Sequence, residues 1–199
     1  MKQSNSPNKT RIIGITGNSG SGKTTVAQII TAKGGLEIDA DRLAHQVMEP
    51  GRAAYDDIVK NFGKEILNKD GHIDRKKLGA IVFSKPEKRT QLEAIVHPLV
   101  IQEIRAKIAA SNESVITVDA VLLVESGLHH HCDALWLVTA KEETRLARIT
   151  TRDKLDHESA NARMRNQRDT APIAAIADVI IHNEGDLSQL ESQVAKYLC

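Results

Sequence analysis

The sequence predicts an α/β fold, a three-layer sandwich in which a parallel five-stranded sheet lies between layers of helix. Three observations carry this reading. Short β-branched runs alternate with stretches of helical periodicity, the pattern of a parallel sheet with crossover helices. The first run ends in a Gly/Ser-rich loop that opens directly onto a helical pattern. Between the second and third runs the interval is too long for one crossover helix, and residues 41–112 show helical rather than alternating patterns, which predicts a helical insertion.

In order, Arg11 to Thr16 reads as the first strand, and Val26, Ile29 and Ile30 then recur at helical spacing until Gly34-Gly35 ends the pattern. Leu36 to Asp39, Val115 to Asp119, Ala134 to Val138 and Asp178 to His182 read as the remaining strands. Inside the insertion Leu92, Ile95, Val96, Leu99, Val100, Ile104 and Ile108 make one apolar helical face, and Pro98 is expected to kink or restart that helix after His97. The division that follows is a polar tail at 1–10 and one domain at 11–199. Its core spans 11–40, 113–147 and 170–199, the insertion 41–112, and a helical lid 148–169.

Composition narrows the function. The chain has 199 residues, 41% hydrophobic and 27% charged, enough to bury one substantial core. Lys and Arg number 27 against 26 Asp and Glu, so no net field favours nucleic acid or an anionic membrane. Aromatic residues are only 3%, too few for the stacking platforms of single-stranded nucleic-acid binders. Residues 1–10 hold no apolar stretch and the longest apolar run, Ala120 to Val124, is too short for a span, so a cytoplasmic protein is expected. Cys132 and Cys199 suggest neither a disulfide framework nor a zinc knuckle.

Gly17-Asn18-Ser19-Gly20-Ser21-Gly22-Lys23-Thr24 satisfies G-x-x-x-x-G-K-[ST], the P-loop, and it lies between a strand and a helix as that motif requires. Gly17, Gly20 and Gly22 allow the backbone, with Ser21, to fold into a nest of N–H groups that converge on phosphate oxygens. Lys23 is expected to meet the β/γ-phosphates and the Thr24 hydroxyl to ligate Mg²⁺, with the positive end of the following helix facing the anion. A P-loop NTPase core is therefore expected. The guanine-reading and switch motifs of a regulatory GTPase are lacking, and the size suits a small-molecule kinase that uses ATP and Mg²⁺.

Such a kinase needs an acceptor site at the carboxyl edge of the sheet. Asp39 and Asp41 end the second strand. At i, i+2 in an extended segment they would point the same way, one to take a proton from an acceptor hydroxyl and the other to support the metal's hydration shell. Asp41 is equally placed to cap a helix over residues 42–47. Asp119 ends the third strand, as a Mg²⁺ carboxylate or as a turn residue.

Further residues match a known family. Ile38-Asp39-Ala40-Asp41, His45, Pro50-Gly51, Phe62-Gly63, Asp70-Gly71, Asp74 to Leu78, Val82-Phe83, Leu92-Glu93 and His97-Pro98 resemble the dephospho-coenzyme A kinases in order and spacing. The run Leu122 to Leu128, Arg148, Arg152-Asp153, Ala162-Arg163, Gln167, Ala177-Asp178 and Asn183-x-Gly185 continue the resemblance. It implies a P-loop core, a helical domain that receives the coenzyme A moiety and a mobile lid. It also implies transfer of the γ-phosphoryl of ATP to the 3′-hydroxyl of dephospho-coenzyme A with Mg²⁺, the final step of coenzyme A synthesis, with no obligate protein partner. By resemblance Asp41 is the general base, Thr25 and Asn183 join the loop in binding nucleotide, and Asp39, His45, His97 and Arg163 face the acceptor. The alternatives are another nucleotide or nucleoside kinase and a non-catalytic nucleotide sensor. Asn18-Ser19, Ala120-Val121, Arg168-Asp169, Ile173 and His182 depart from the family pattern.

Two clusters invite stronger readings. His129-His130-His131-Cys132 suggests a metal, but successive side chains diverge, and a surface turn is expected. Arg145, Arg148 and Arg152 share a helical face and Arg163, Arg165 and Arg168 follow. They form either a solvated basic face or a closing lid that neutralises transferring charge, and the proximity of a phosphate site favours the lid, with Arg148 and Arg152 catalytic. His45 and His97 are equally open to a structural role.

Overall fold

A computed structural model of the chain describes residues 10–165 and 167–198. Most of the polar tail and Cys199 lie outside the described residues. Two compact units are present, one formed by residues 1–38 and 111–199 and the other by residues 39–110.

In the first unit the strands β1 (Arg11–Thr16), β2 (Leu36–Asp39), β3 (Val115–Asp119), β4 (Ala134–Thr139) and β5 (Val179–His182) form one sheet in the order β2-β3-β1-β4-β5. Pairing of β1 with β3 and β4, and of β4 with β5, is parallel. Both faces of the central strands are buried, which is why these runs are nearly continuous in Ile, Val and Leu. On one face Ile13, Ile15, Trp136 and Val138 pack against α1 (Lys23–Ala32) and α9 (Leu187–Leu198), through Val26, Ile30, Leu190 and Val194. The Trp136 ring meets Tyr197 edge-on, with centroids 6.4 Å apart.

Local chemistry sets the ends of these elements. α1 stops in a Schellman turn: Gly35 N–H donates to Ile30 O and Gly34 N–H to Thr31 O, both at 3.0 Å, and Gly34 has φ +89°, where a Cβ would be strained. The β5 ladder starts at Val179, one residue later than the sequence predicts. The Asp178 carboxylate instead accepts from Leu135 N–H at 2.7 Å. β4 runs one residue further, to Thr139.

α6 (Glu142–Asp153), α7 (His157–Arg165) and α8 (Ala171–Ala174) follow β4. Ile149, Ala160 and Met164 form a small core joining α6 and α7, with Leu146 and Leu155 at its margin. The expected lid boundary at residue 148 falls inside the continuous helix α6.

The second unit is helical: α2 (Ala40–Val47), α3 (Tyr55–Phe62), α4 (Arg75–Ser84) and α5 (Pro86–Ala110), with a single isolated bridge pairing Leu67 and Ile73 among its described residues. Leu43, Ile58, Phe62, Leu78, Val96 and Val100 are among its buried side chains. Two expectations change here. α5 runs through Pro98 as one helix, so the proline does not restart it after His97. Proline removes one donor from a 25-residue helix, and the other hydrogen bonds, together with α2, α3 and α4 packed against it, keep the helix in register. Asp39 and Asp41 also do not share an extended segment, because α2 begins at Ala40; the cap is Asp39, whose Oδ1 accepts from Arg42 N–H at 2.8 Å, and not Asp41.

Candidate active site

The phosphate loop leaves β1 at Thr16 and enters α1 at Lys23, so Lys23, Thr24 and Thr25 occupy the first helical turn, where N–H groups have no partner within the helix. Gly17, Gly20 and Gly22 have φ of 149°, 81° and 98°. At Gly22 the left-handed backbone coincides with a close approach, since a Cβ there would overlap the Asn183 amide. Ser21 is 1% exposed, and its Oγ has no hydrogen-bond partner among the described residues. A Cβ on Gly17 would sit 2.9 Å from that Oγ. A glycine-lined nest with an unsatisfied hydroxyl and the positive end of a helix suits a polyphosphate.

Mg²⁺ takes oxygen ligands and keeps several waters. The Thr24 hydroxyl, exposed at the head of α1, and the half-buried Asp119 carboxylate supply that donor type. Asp119 pairs in register with Ile15, two residues before Gly17, so it ends at the sheet edge that carries the loop. These residues fit a hydrated Mg²⁺.

Two side chains brace the loop from behind. Asn183 follows β5 and is 6% exposed; its Nδ2 donates to Ser21 O at 2.8 Å. Arg148 of α6 donates from Nη2 to Asn183 Oδ1 and from Nη1 to Gly20 O, both at 3.3 Å. Both contacts engage loop carbonyls, Gly20 O and Ser21 O. Arg148 and Asn183 thus lie at the loop, each with a supporting contact that sequence reasoning did not supply.

The remaining lid residues form a second cluster. Arg152 donates to the Asp153 carboxylate from Nε (2.8 Å) and Nη2 (2.9 Å), and Arg163 Nη1 donates to the same carboxylate at 2.6 Å. The Arg152 hydrogen bonds hold the Asp153 carboxyl below its ordinary range; burial opposes them, and the charges of both arginines and the Arg163 hydrogen bond add to the lowering. Arg163, expected at the acceptor, is paired with Asp153. Sequence reasoning gave Asp153 no role, and it placed Arg145 on the helical face of Arg148 and Arg152 without naming its partners. Its Nε donates to Ser19 O at 3.2 Å and its Nη2 to Gln167 Oε1.

In the helical unit Asp39, Asp41 and His45 come together on α2. Asp41 is exposed in the first turn and His45 lies one turn on, half-buried. Burial, then the Arg75 charge, lowers the His45 pKa, opposed by Asp41, Asp39 and Glu49. His97 is half-buried on α5, the helix against which α2 packs.

Leu128–His131 forms a single 3₁₀ turn. His129 and His130 stack with centroids 3.9 Å apart. The Cys132 thiol donates to Leu128 O at 3.7 Å, and burial, then the Asp133 charge, pushes its pKa up to about 12. Among the described residues no group of three or more His, Cys, Asp or Glu is placed to hold a metal.

Comparison with known proteins bears directly on this arrangement. The dephospho-CoA kinase family model matches residues 11–189. The chain is 40% identical over 190 residues to a dephospho-CoA kinase of Carboxydothermus hydrogenoformans, covering 94% of this chain and 92% of that protein. Among solved structures, TT1252 from Thermus thermophilus superposes with a TM-score of 0.83 at 32% identity over 96% of both chains. The dephospho-CoA kinase of Campylobacter jejuni superposes with 0.65 at 30% identity over 94% of both. A P-loop in a five-stranded parallel sheet, a helical insertion after β2 and similarity that runs nearly end to end all lead to one assignment: the chain belongs to the dephospho-CoA kinase family.

Proposed function

We propose that the protein transfers the γ-phosphoryl group of ATP to the 3′-hydroxyl of dephospho-coenzyme A, giving coenzyme A and ADP. The observation that carries this reading is the family match from residue 11 to 189, which includes both the complete phosphate loop and the Asp39-Ala40-Asp41 segment. The bond between the acceptor oxygen and the γ-phosphorus forms as the bond from that phosphorus to the β-bridging oxygen breaks, and the hydroxyl proton passes to Asp41. Asp41 suits a base because it stands in the first turn of α2 while Asp39 takes the capping role.

Little covalent work falls to the protein in phosphoryl transfer, so its contribution is positioning and electrostatics. The loop N–H groups and Lys23 hold the β- and γ-phosphates, with Thr25 and Asn183 completing the nucleotide site. Thr24 and Asp119 would hold Mg²⁺, which when bound neutralises charge on the phosphate oxygens. Arg148 sets the loop, and Arg152 supplies charge to the transferring group. Asp39, His45, His97 and Arg163 bind the acceptor. Among the described residues no helix is long and apolar enough to cross a membrane. The reading includes a cytoplasmic location and a reaction that needs no protein partner.

A coupled ADP-release assay with Mg²⁺ and ATP, run over a panel of acceptors, tests the assignment. Dephospho-coenzyme A should stimulate ADP formation far above nucleoside monophosphates, uridine or shikimate. Preference for a nucleotide or nucleoside would replace the acceptor and leave a kinase. ATP binding with no acceptor-dependent turnover would indicate a nucleotide sensor.

A further inference from the structure

The P-loop motif leaves its second and third positions free, and small side chains there would build the same nest. In this chain they are Asn18 and Ser19, and both are engaged by the segment that carries the lid arginines. Asn18 Nδ2 donates to Arg168 O at 2.9 Å. Ser19 Oγ accepts from Arg152 Nη2 at 3.3 Å. The Arg168 guanidinium is itself paired with Glu125, in the loop after β3, so the far end of the segment is anchored as well.

We propose that Asn18 and Ser19 are positioning residues: they clasp the lid segment onto the phosphate loop and hold Arg152 beside it before the nucleotide arrives. The proposal rests on the reading of Arg152 as a group that acts on the transferring phosphoryl. An arginine side chain loses considerable rotamer freedom when it is ordered. A contact that orders it in advance removes that loss from the path to the transition state and acts on turnover more than on ground-state ATP binding. Asp153 restrains the same guanidinium but lies on the same helix, so it fixes the side chain relative to α6 only. Ser19 is the residue that ties it to the loop.

The test compares the Asn18→Ala/Ser19→Ala double variant with the parent protein. Turnover with dephospho-coenzyme A should fall about three- to tenfold, the effect of losing one or two hydrogen bonds, while KM for ATP changes less than twofold. Ser19→Thr, which keeps the hydroxyl, should restore most of the loss contributed by Ser19. Amide hydrogen exchange of residues 150–170 in the nucleotide-free protein should accelerate by a similar factor. Glu125→Gln, which weakens the Arg168 anchor without touching the loop, should accelerate exchange near residue 168 even if the double variant folds poorly. Unchanged exchange in the variants, or a rise in turnover in the double variant, would overturn the clasp. Arg152→Lys, measured in parallel, separates the two ideas: normal turnover there would remove the role of Arg152, and the exchange result would still decide whether the clasp exists.

Discussion

A carboxylate that caps a helix is already solvated by backbone N–H groups, and this separates Asp39 from its neighbour Asp41. Asp39 accepts from Arg42 N–H and ends β2, so its removal is expected to act first on α2. Asp39→Ala should cost about 1 kcal/mol of stability, read as a lower urea midpoint. Asp41 has no such capping duty. Asp41→Asn keeps its size, and if Asp41 is the general base, turnover should fall by ~10²–10⁴ with ATP binding intact by calorimetry. Near-normal turnover in Asp41→Asn would return the base to another group. The loss of stability, expected for Asp39→Ala beside any rise in KM for the acceptor, should therefore distinguish it from Asp41→Asn.

At the scale of elements, α5 shows tertiary packing prevailing over a local rule. Pro98 sits in its interior with an exposed ring, and the helix is continuous on both sides. Interior proline costs about 3 kcal/mol relative to alanine in an isolated helix. Pro98→Ala should therefore stabilise the protein by about 1–3 kcal/mol, measured as a rise in the urea midpoint at constant m-value. A fall would mean that neighbouring side chains are packed around the ring. Further along, α6 connects two kinds of contact through one helical face. Arg148 braces loop carbonyls through Asn183, and Arg152 reaches Ser19. Both follow from the one-turn spacing of 148 and 152.

At the scale of the molecule, the unit made of residues 1–38 and 111–199 contains the whole phosphate loop, its bracing residues and the candidate Mg²⁺ ligands. Nucleotide binding should thus stabilise it by mass action, about 2.7 kcal/mol at a ligand concentration one hundred times Kd. In a chain of this size that is a rise in Tm of roughly 5–10 °C. Scanning calorimetry with Mg²⁺ and ATP checks this, and Lys23→Ala should lose most of the shift. A full shift in Lys23→Ala would place the dominant binding energy outside the loop.

Local chemistry is what the sequence determined by itself. The β-branched runs and the glycine-bounded loop are decided within a few residues of chain, so the strands, to within one residue, and the phosphate loop were legible, whereas the cap of α2 falls at Asp39 and not at Asp41. The match of motifs from Asp41 to Gly185 carried the acceptor, which composition and spacing could not supply. Tertiary structure decided which distant groups meet. Asn183 reaches Ser21 across 162 positions and Asn18 reaches Arg168 across 150, and no periodicity links such pairs. The strand order β2-β3-β1-β4-β5 brings β4 and β5 beside the loop, so that a buried asparagine and an arginine from α6 converge on its carbonyls. A hydrogen bond depends on where two backbones lie in space, and only the folded sheet sets that distance.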